Sequence, residues 1–235
     1  MNIHNLGSVL FNNYLLQYEN GCILIDAGYN TSFEKFLGKL ETLGISLDAI
    51  KYVFLTHVHN DHISYLKELL DAGVKLIIHS AAKERLLEGK NVLGDCSTLI
   101  SKCFSLMTKL TGKSVGDWTP IDAENAIVCD GNANVLAEQG FPMTVVELPG
   151  HTPDSIGLLT DDGKLFCGDM TMNGFPATNR KTLLIEDVTE YKKSWQKIIA
   201  LNPLMLYPGH GKPFPIDDMV KYQPGVNELI LWRNK

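Results

Sequence analysis

The chain has 235 residues, 45% of them hydrophobic and 20% charged, and a formal charge of −6. That length suits one domain, 1–235, with a core large enough to need no disulfide staples, and the composition excludes a disordered chain. The acidic balance, without a concentrated basic stripe, disfavours nucleic acid as substrate or partner.

The N-terminal stretch MNIHNLGSVLFNNYLLQYENG lacks the basic-then-apolar layout of a leader, and no segment approaches the ~18 consecutive apolar residues of a membrane span. A cytoplasmic protein without membrane association is the expectation. Apolar runs over 9–18 and 22–26 flank Asn20-Gly21, a dipeptide that accepts the positive φ of a hairpin turn, so two strands are predicted to open the fold. Thr31-Ser32-Phe33-Glu34 has capping-box spacing ahead of Phe33, Phe36, Leu37, Leu40 and Leu43, which predicts a helix ending at Gly44. Tyr52-Val53-Phe54-Leu55 reads as a buried strand that delivers residues 56–62 into a loop. A helix over about 64–70 and a strand over 74–78 are predicted next.

Residues 81–120 read as a mainly helical insertion, or lid, carrying Leu86, Leu87, Leu99, Ile100, Phe104, Leu106, Met107 and Leu110. Helical spacing assigns Leu99, Phe104, Met107 and Leu110 to the core of that lid first, and to a substrate wall second. Short strands resume near 126 and end in Val145-Val146-Glu147-Leu148, followed by Pro149-Gly150-His151-Thr152-Pro153. Residues 156–160 and 164–167 form a second predicted hairpin around Asp161-Asp162-Gly163, ending in Gly168-Asp169. A helix near 189–200, with Asp187 and Glu190 at capping spacing, precedes a strand at 204–207 that delivers Pro208-Gly209-His210-Gly211. The order hairpin, helix, strand and histidine loop thus occurs twice, which suggests two sheets face to face with helices outside and polar residues converging at one edge. The apolar tail Leu229-Ile230-Leu231-Trp232 is expected to dock on its own domain.

His57-x-His59-x-Asp61-His62 places four potential ligands within six residues, a spacing that an extended turn folds around a cation and that core packing does not select. Five of the seven histidines (His57, His59, His62, His151, His210) lie on loops after predicted strands; His4 reads as a surface residue and His79 as helix-start packing. Mixed imidazole and carboxylate donors suit Zn²⁺, Fe or Mn, whereas an all-oxygen set would suit Ca²⁺ or Mg²⁺. The five cysteines, Cys22, Cys96, Cys103, Cys129 and Cys167, include no C-x-x-C pair and read as reduced, mostly buried thiols.

His57-Val58-His59-Asn60-Asp61-His62, Pro149-Gly150-His151-Thr152-Pro153, Gly168-Asp169 and Pro208-Gly209-His210-Gly211 together resemble the ordered motifs of the metallo-β-lactamase superfamily, over roughly residues 7–215. The resemblance implies an α+β fold, an αββα sandwich of two mixed β-sheets with outer helices. It implies one metal on His57, His59 and His151, another on Asp61, His62 and His210, and Asp169 bridging them. Ile63-Ser64-Tyr65 and Asp154 stand where many members carry small residues or glycine. Two metals in such a site lower the pKa of a bridging water, so a hydroxide attacks a carbonyl or phosphoryl centre while Asp61 orients it.

A hydrolase of a small-molecule ester, thioester or lactone is therefore the leading expectation. A small phosphodiesterase, a β-lactam hydrolase, or a metal-binding sensor or partner protein with little turnover are the alternatives. The metal motifs are similar to those of glyoxalase II, yet 25 residues after His210 are fewer than that family's C-terminal helical domain needs. Asp26 is a candidate to hold a ligand histidine by its other nitrogen, with a turn or cap as the equal alternative. Asn173, Asn179, Arg180 and Lys181 follow Asp169 in what reads as a solvated loop that could also meet an anionic substrate.

Overall fold

The computed structural model describes residues 1–8, 10–111, 116–130 and 133–234. Val9 and residues 112–115, inside two of the predicted segments, lie outside the described residues. The first half of the chain builds one six-stranded sheet from β1 (Asn2–Asn5), β2 (Tyr14–Tyr18), β3 (Gly21–Ile25), β4 (Ile50–Phe54), β5 (Lys75–Ile78) and β7 (Ile127–Val128), in that order. The second half builds a five-stranded sheet in the order β13 (Phe214–Pro215), β12 (Met205–Gly211), β10 (Lys164–Asn173), β9 (Ile156–Thr160) and β8 (Met143–Glu147). Both are mixed: β3, β4, β5 and β7 run parallel, as do β10 and β12, while the hairpins run antiparallel.

Strand alternation explains the layers. In β3, Cys22 and Leu24 point one way, and Ile23 and Ile25 the other; in β4, Val53 opposes Tyr52 and Phe54. The first set packs under α1 (Phe33–Thr42) and α2 (Leu66–Asp71) with Phe36, Leu40, Leu66 and Leu69. The second set meets Val145, Ile156, Leu158 and Phe166 of the other sheet. Leu165 and Cys167 then face outward onto Tyr191, Trp195 and Ile198 of α5 (Val188–Leu201) and Met219 and Val226 of α6 (Ile216–Asn227). Strands buried on both faces read as continuous apolar runs, which is how residues 52–54 of β4 and 165–167 of β10 read in the sequence. The αββα sandwich is thus present.

Local differences have local causes. The strand expected over 9–18 begins only at Tyr14, because Asn12 and Asn13 turn their amides into the neighbouring loops, and β1 was not anticipated. The cap of α1 is Ser32, which accepts from the Lys35 amide, and not Thr31. Asp187 caps α5 as expected, accepting from Thr189 and Glu190. Helix α6 contains Pro224 and Gly225, both poor helix formers; burial of Met219 and Val226, with Trp195 Nε1 donating to the Met219 carbonyl at 3.2 Å, holds it. All cysteines are free, four buried and Cys103 exposed.

The segment 81–120 holds α3 (Ala81–Glu88) and α4 (Leu99–Leu110), with β6 (Asp95–Cys96) between them pairing to β11 (Leu184–Ile185). The assignment of Leu99, Met107 and Leu110 to a lid core is overturned: they are exposed, Leu110 at 79%, and the inward positions are Ser101 and Ser105. Polar anchors decide which face turns in. Ser105 Oγ donates to Asn234 Oδ1 at 2.7 Å and Lys109 Nζ donates to the Asn234 carbonyl at 2.6 Å, while a Thr98–Ser101 capping box starts the helix. The tail does dock on the chain: Leu229 is buried and Trp232 bridges to Cys96. Among the described residues no helix is long and apolar enough to cross a membrane.

Candidate metal centre

The two sheets end at a common edge, and each histidine loop leaves the C-terminal end of a strand there. Residues 55–62 follow β4, 148–154 follow β8, Asp169 lies within β10 and His210 near the end of β12. Two ligand groups result: His57, His59 and His151, all buried; and Asp61, His62, Asp169 and His210, with one donor atom per residue lying within 4.8 Å of its fellows. All seven residues singled out in the sequence are brought together.

In the first group the facing atoms are His57 Nε2, His59 Nδ1 and His151 Nε2, separated by 3.1, 3.2 and 3.1 Å. The outer nitrogens decide what those atoms carry. His59 Nε2 lies 2.9 Å from the Val92 carbonyl and His151 Nδ1 lies 2.7 Å from the Leu184 carbonyl, and a carbonyl only accepts, so both protons sit outside. Thr56 Oγ1 spends its proton on Asp26 at 3.0 Å and so accepts from His57 Nδ1 at 3.0 Å. Three inward lone pairs therefore face one another without a proton among them. A cation resolves that repulsion, and tetrahedral bonds of ~2.0–2.1 Å place nitrogens ~3.3 Å apart, close to the observed spacing.

The second group is anchored the same way. His62 Nδ1 donates to Asp26 Oδ2 at 2.8 Å and His210 Nδ1 donates to the Leu10 carbonyl at 3.0 Å. Their inner nitrogens meet carboxylates: His210 Nε2 is 3.1 Å from Asp169 Oδ2 and 3.3 Å from Asp61 Oδ2, and His62 Nε2 is 3.5 Å from Asp169 Oδ1. Asp169 also approaches the first group, with Oδ2 3.8 Å from His151 Nε2. Yet His62 Nε2, His210 Nε2 and Asp169 Oδ1 are buried without a hydrogen-bond partner, because each aims at a shared centre and not along a mutual hydrogen bond. The donor set thus fits two transition-metal ions.

The electrostatics divide accordingly. Burial pushes His59 and His151 down to about 4, and pushes His57 well below the imidazole range with help from neighbouring histidines. At His210 burial opposes protonation, but the nearby carboxylates of Asp169 and Asp61 outweigh it and lift the group to about 10. His62 is raised likewise, mainly by Asp26 against burial. Burial would raise Asp61, but His62 and His210 hold it at about 2. The first group is electron-rich; the carboxylates of the second favour positive charge at its centre.

Several supporting residues had not been singled out in the sequence. Asn12 Nδ2 donates to the Pro208 and Gly211 carbonyls at 2.8 and 2.6 Å, and Asn13 Nδ2 to the Ile25 and Asp26 carbonyls at 2.9 and 2.7 Å, so one dipeptide ties two site loops together. A buried Asn-Asn pair inside LFNNYLL was the available signal. Asp26 is confirmed as the histidine holder, and it also accepts the Thr56 amide at 2.8 Å. Asp154 accepts the Val58 amide at 2.7 Å between His57 and His59, and faces Arg85, which forks onto Glu186 at 2.8 and 3.2 Å. Arg180 pairs with Asp218 instead of facing substrate, while Asn173 and Lys212 line the cavity. His79 starts α3, accepting the Ala81 amide, and His4 is half-buried beside Gln17.

A cavity of about 440 Å³ opens over both groups, walled by the 10–11 loop, Tyr29, α4, and residues 172–176 and 183–184. The chain is 28% identical over 202 residues to beta-lactamase-like protein 2 homolog of Drosophila melanogaster, covering 85% of this chain and 58% of that one. It is 28% identical over 164 residues to a hydroxyacylglutathione hydrolase of Blochmanniella pennsylvanica, covering 68% and 48%. The chain thus spans about half the length of these two relatives. The crystal structure of ST1585, an archaeal metallo-beta-lactamase superfamily protein from Sulfolobus tokodaii, shares the fold with a TM-score of 0.68 at 24% identity, over 95% of this chain and 85% of that one. The family model of the metallo-beta-lactamase superfamily matches residues 12–210, an interval holding every ligand described above, and the chain belongs to that superfamily.

Proposed function

We propose that this chain is a binuclear metal-dependent hydrolase that cleaves an ester, thioester or lactone of a small molecule. One observation carries the reading: all five site histidines have their outer nitrogen fixed by an acceptor, so that five inner nitrogens converge with Asp61 and Asp169 beneath one cavity. His57, His59 and His151 would hold one ion and Asp61, His62 and His210 the other, with Asp169 placed to serve both. Zn²⁺ is the expected occupant, with Fe or Mn accepted by the same donors.

Two such ions supply Lewis acidity and a water acidic enough to ionise near neutral pH. The chain's own residues do the rest. Asp61, anionic because its carboxyl is held at about 2, accepts a hydrogen bond from the attacking water and fixes its direction. Asp169 balances charge between the two groups. Apolar walls around the cavity exclude bulk water and strengthen each electrostatic contact inside. The name of the Blochmanniella relative, a hydrolase of an acyl compound, supports the acyl class.

The test combines metal content per chain with turnover of lactone, thioester, phosphodiester and β-lactam substrates, in wild type and Asp169→Ala. Two metals and Asp169-dependent cleavage of an acyl substrate are expected. Protein purified without chelator that carries no metal overturns the site, and phosphodiester-only turnover overturns the substrate class.

A further inference from the structure

The cavity over the metal centre has an uneven lining. Next to the three-histidine group, the segments that supply the Val92 and Leu184 carbonyls also present Leu93, Leu183 and Leu184, and α4 adds Phe104. Next to His210, Phe11 packs on Tyr29 in a tilted pair, 4.1 Å between ring centroids, and meets the His210 ring edge-on at 4.8 Å. The rim holds Phe175 and Leu10 out in water at 83% and 59% exposure. Large side chains kept exposed around a concave site are buried again when an apolar group enters.

The charges around this mouth are as telling. The chain is acidic overall, yet among the described residues no acidic side chain lines the cavity apart from Asp61 and Asp169 in the metal groups, and the basic side chains on its walls are Lys109 and Lys212. Lys109 is engaged by Asn234. Lys212 is exposed, lies two residues beyond His210, and forms no ion pair among the described residues. Its backbone is fixed at the cavity edge by Asn173, which donates from Nδ2 to the Lys212 carbonyl at 2.8 Å. A cation pinned beside one metal group, and an apolar wall beside the other, orient a substrate end to end.

Building on the hydrolase reading, we propose that the substrate is amphipathic: an apolar acyl arm lies along Phe104, Leu93 and Leu183, and an anionic substituent on the leaving alcohol or thiol meets Lys212. Hydrolysis of the acyl–sulfur or acyl–oxygen bond by one water gives the carboxylate of the arm and the free thiol or alcohol, with no other reactant. The arm sets affinity through burial and the lysine sets which leaving group is accepted.

Two measurements test this with the metal-loaded chain. Thioesters of mercaptopropionate with acyl groups from acetyl to octanoyl should show kcat/KM rising up to about fourfold per added methylene until the wall is covered, the fold-change equivalent to about 0.8 kcal/mol. A flat series with Asp169-dependent turnover overturns the acyl arm while leaving the hydrolase reading intact. Lys212→Glu should lower kcat/KM for the mercaptopropionate thioesters about tenfold or more relative to its effect on thioesters of a neutral thiol. Equal effects on both thiols overturn the role of Lys212. Calorimetric binding of straight-chain alkanoates to metal-free protein reads the wall without turnover. Affinity climbing with length while no thioester is cleaved upholds the apolar subsite and removes the hydrolase reading; affinity independent of length overturns the subsite.

Discussion

Replacing Asp26 by asparagine exchanges one oxygen for an NH₂ at the point where the second metal group is oriented. Asp26 Oδ1 accepts the Thr56 amide at 2.8 Å and the Thr56 hydroxyl at 3.0 Å, and Oδ2 accepts His62 Nδ1 at 2.8 Å. An asparagine with its oxygen at the Oδ1 position keeps both Thr56 bonds and sets an NH₂ against the His62 N–H. The imidazole relieves that donor–donor contact by moving its proton to Nε2, the atom that must offer a lone pair to the metal. The opposite rotamer faces the NH₂ toward the buried Thr56 amide, at ~1–3 kcal/mol for an unsatisfied donor. Loss of such an outer contact typically weakens metal affinity 10–100-fold, or ~1.4–2.8 kcal/mol. The three-histidine group should be spared, because Thr56 still donates to the asparagine oxygen and still accepts from His57. Competitive titration against a chelating dye, with metal content at each step, separates the two affinities. A loss shared equally by both groups, or no loss with unchanged stability, refutes the tautomer argument.

Three further outcomes follow from the same geometry. Arg85→Met leaves the buried Asp154 and the partly buried Glu186 without their cation, and should lower unfolding free energy by ~3–5 kcal/mol; a urea-midpoint shift worth less than ~1 kcal/mol would show that the ion cluster contributes little. Gly209→Ala places a Cβ 2.3 Å from Asp169 Oδ1 and 2.8 Å from His62 Cε1, so the chain should retain one metal in place of two, as elemental analysis would reveal. The two groups should also load with different pH dependence. His59 and His151, at about 4, have lost their protons by ~pH 5, so affinity of the first group levels off above it. His210, at about 10 in the metal-free chain, must release a proton to bind, so affinity of the second group climbs with pH through neutrality. Calorimetry in buffers of different ionisation enthalpy counts that proton, and a proton count of zero for the second metal contradicts the assignment.

The metal ligands were legible because each is an uncommon residue type in a short motif at the end of an apolar run, and the run itself announces a strand buried on both faces. What orients those ligands was much less so. The Val92, Leu184 and Leu10 carbonyls fix three of the five tautomers, and a backbone carbonyl is available at every residue, so no side-chain identity marks the position. Asp26 could be suspected because its carboxylate closes a strand, and Asn12-Asn13 could have been, since two adjacent amides inside an apolar run need partners. Arg85 could not: its partners are 69 and 101 positions away, and charge on an amphipathic helix ordinarily marks a solvated face.

Helix α4 shows why periodicity alone gives the spacing of a helix without its direction. Leu99, Met107 and Leu110 recur at helical intervals, and the rule that apolar residues turn inward assigns them to a core. That rule holds when burial is the only term separating the two orientations. Here Ser105 and Lys109 make hydrogen bonds to Asn234, each available in one orientation alone, and the volume on the inner side is a cavity with few side chains to pack against. Turning the leucines inward would place them over the metal groups and leave these polar anchors without partners. The helix instead presents hydroxyls and Phe104 to the cavity, so its sequence pattern is that of a wall shaped to receive a ligand, and its outward leucines are a by-product of that geometry.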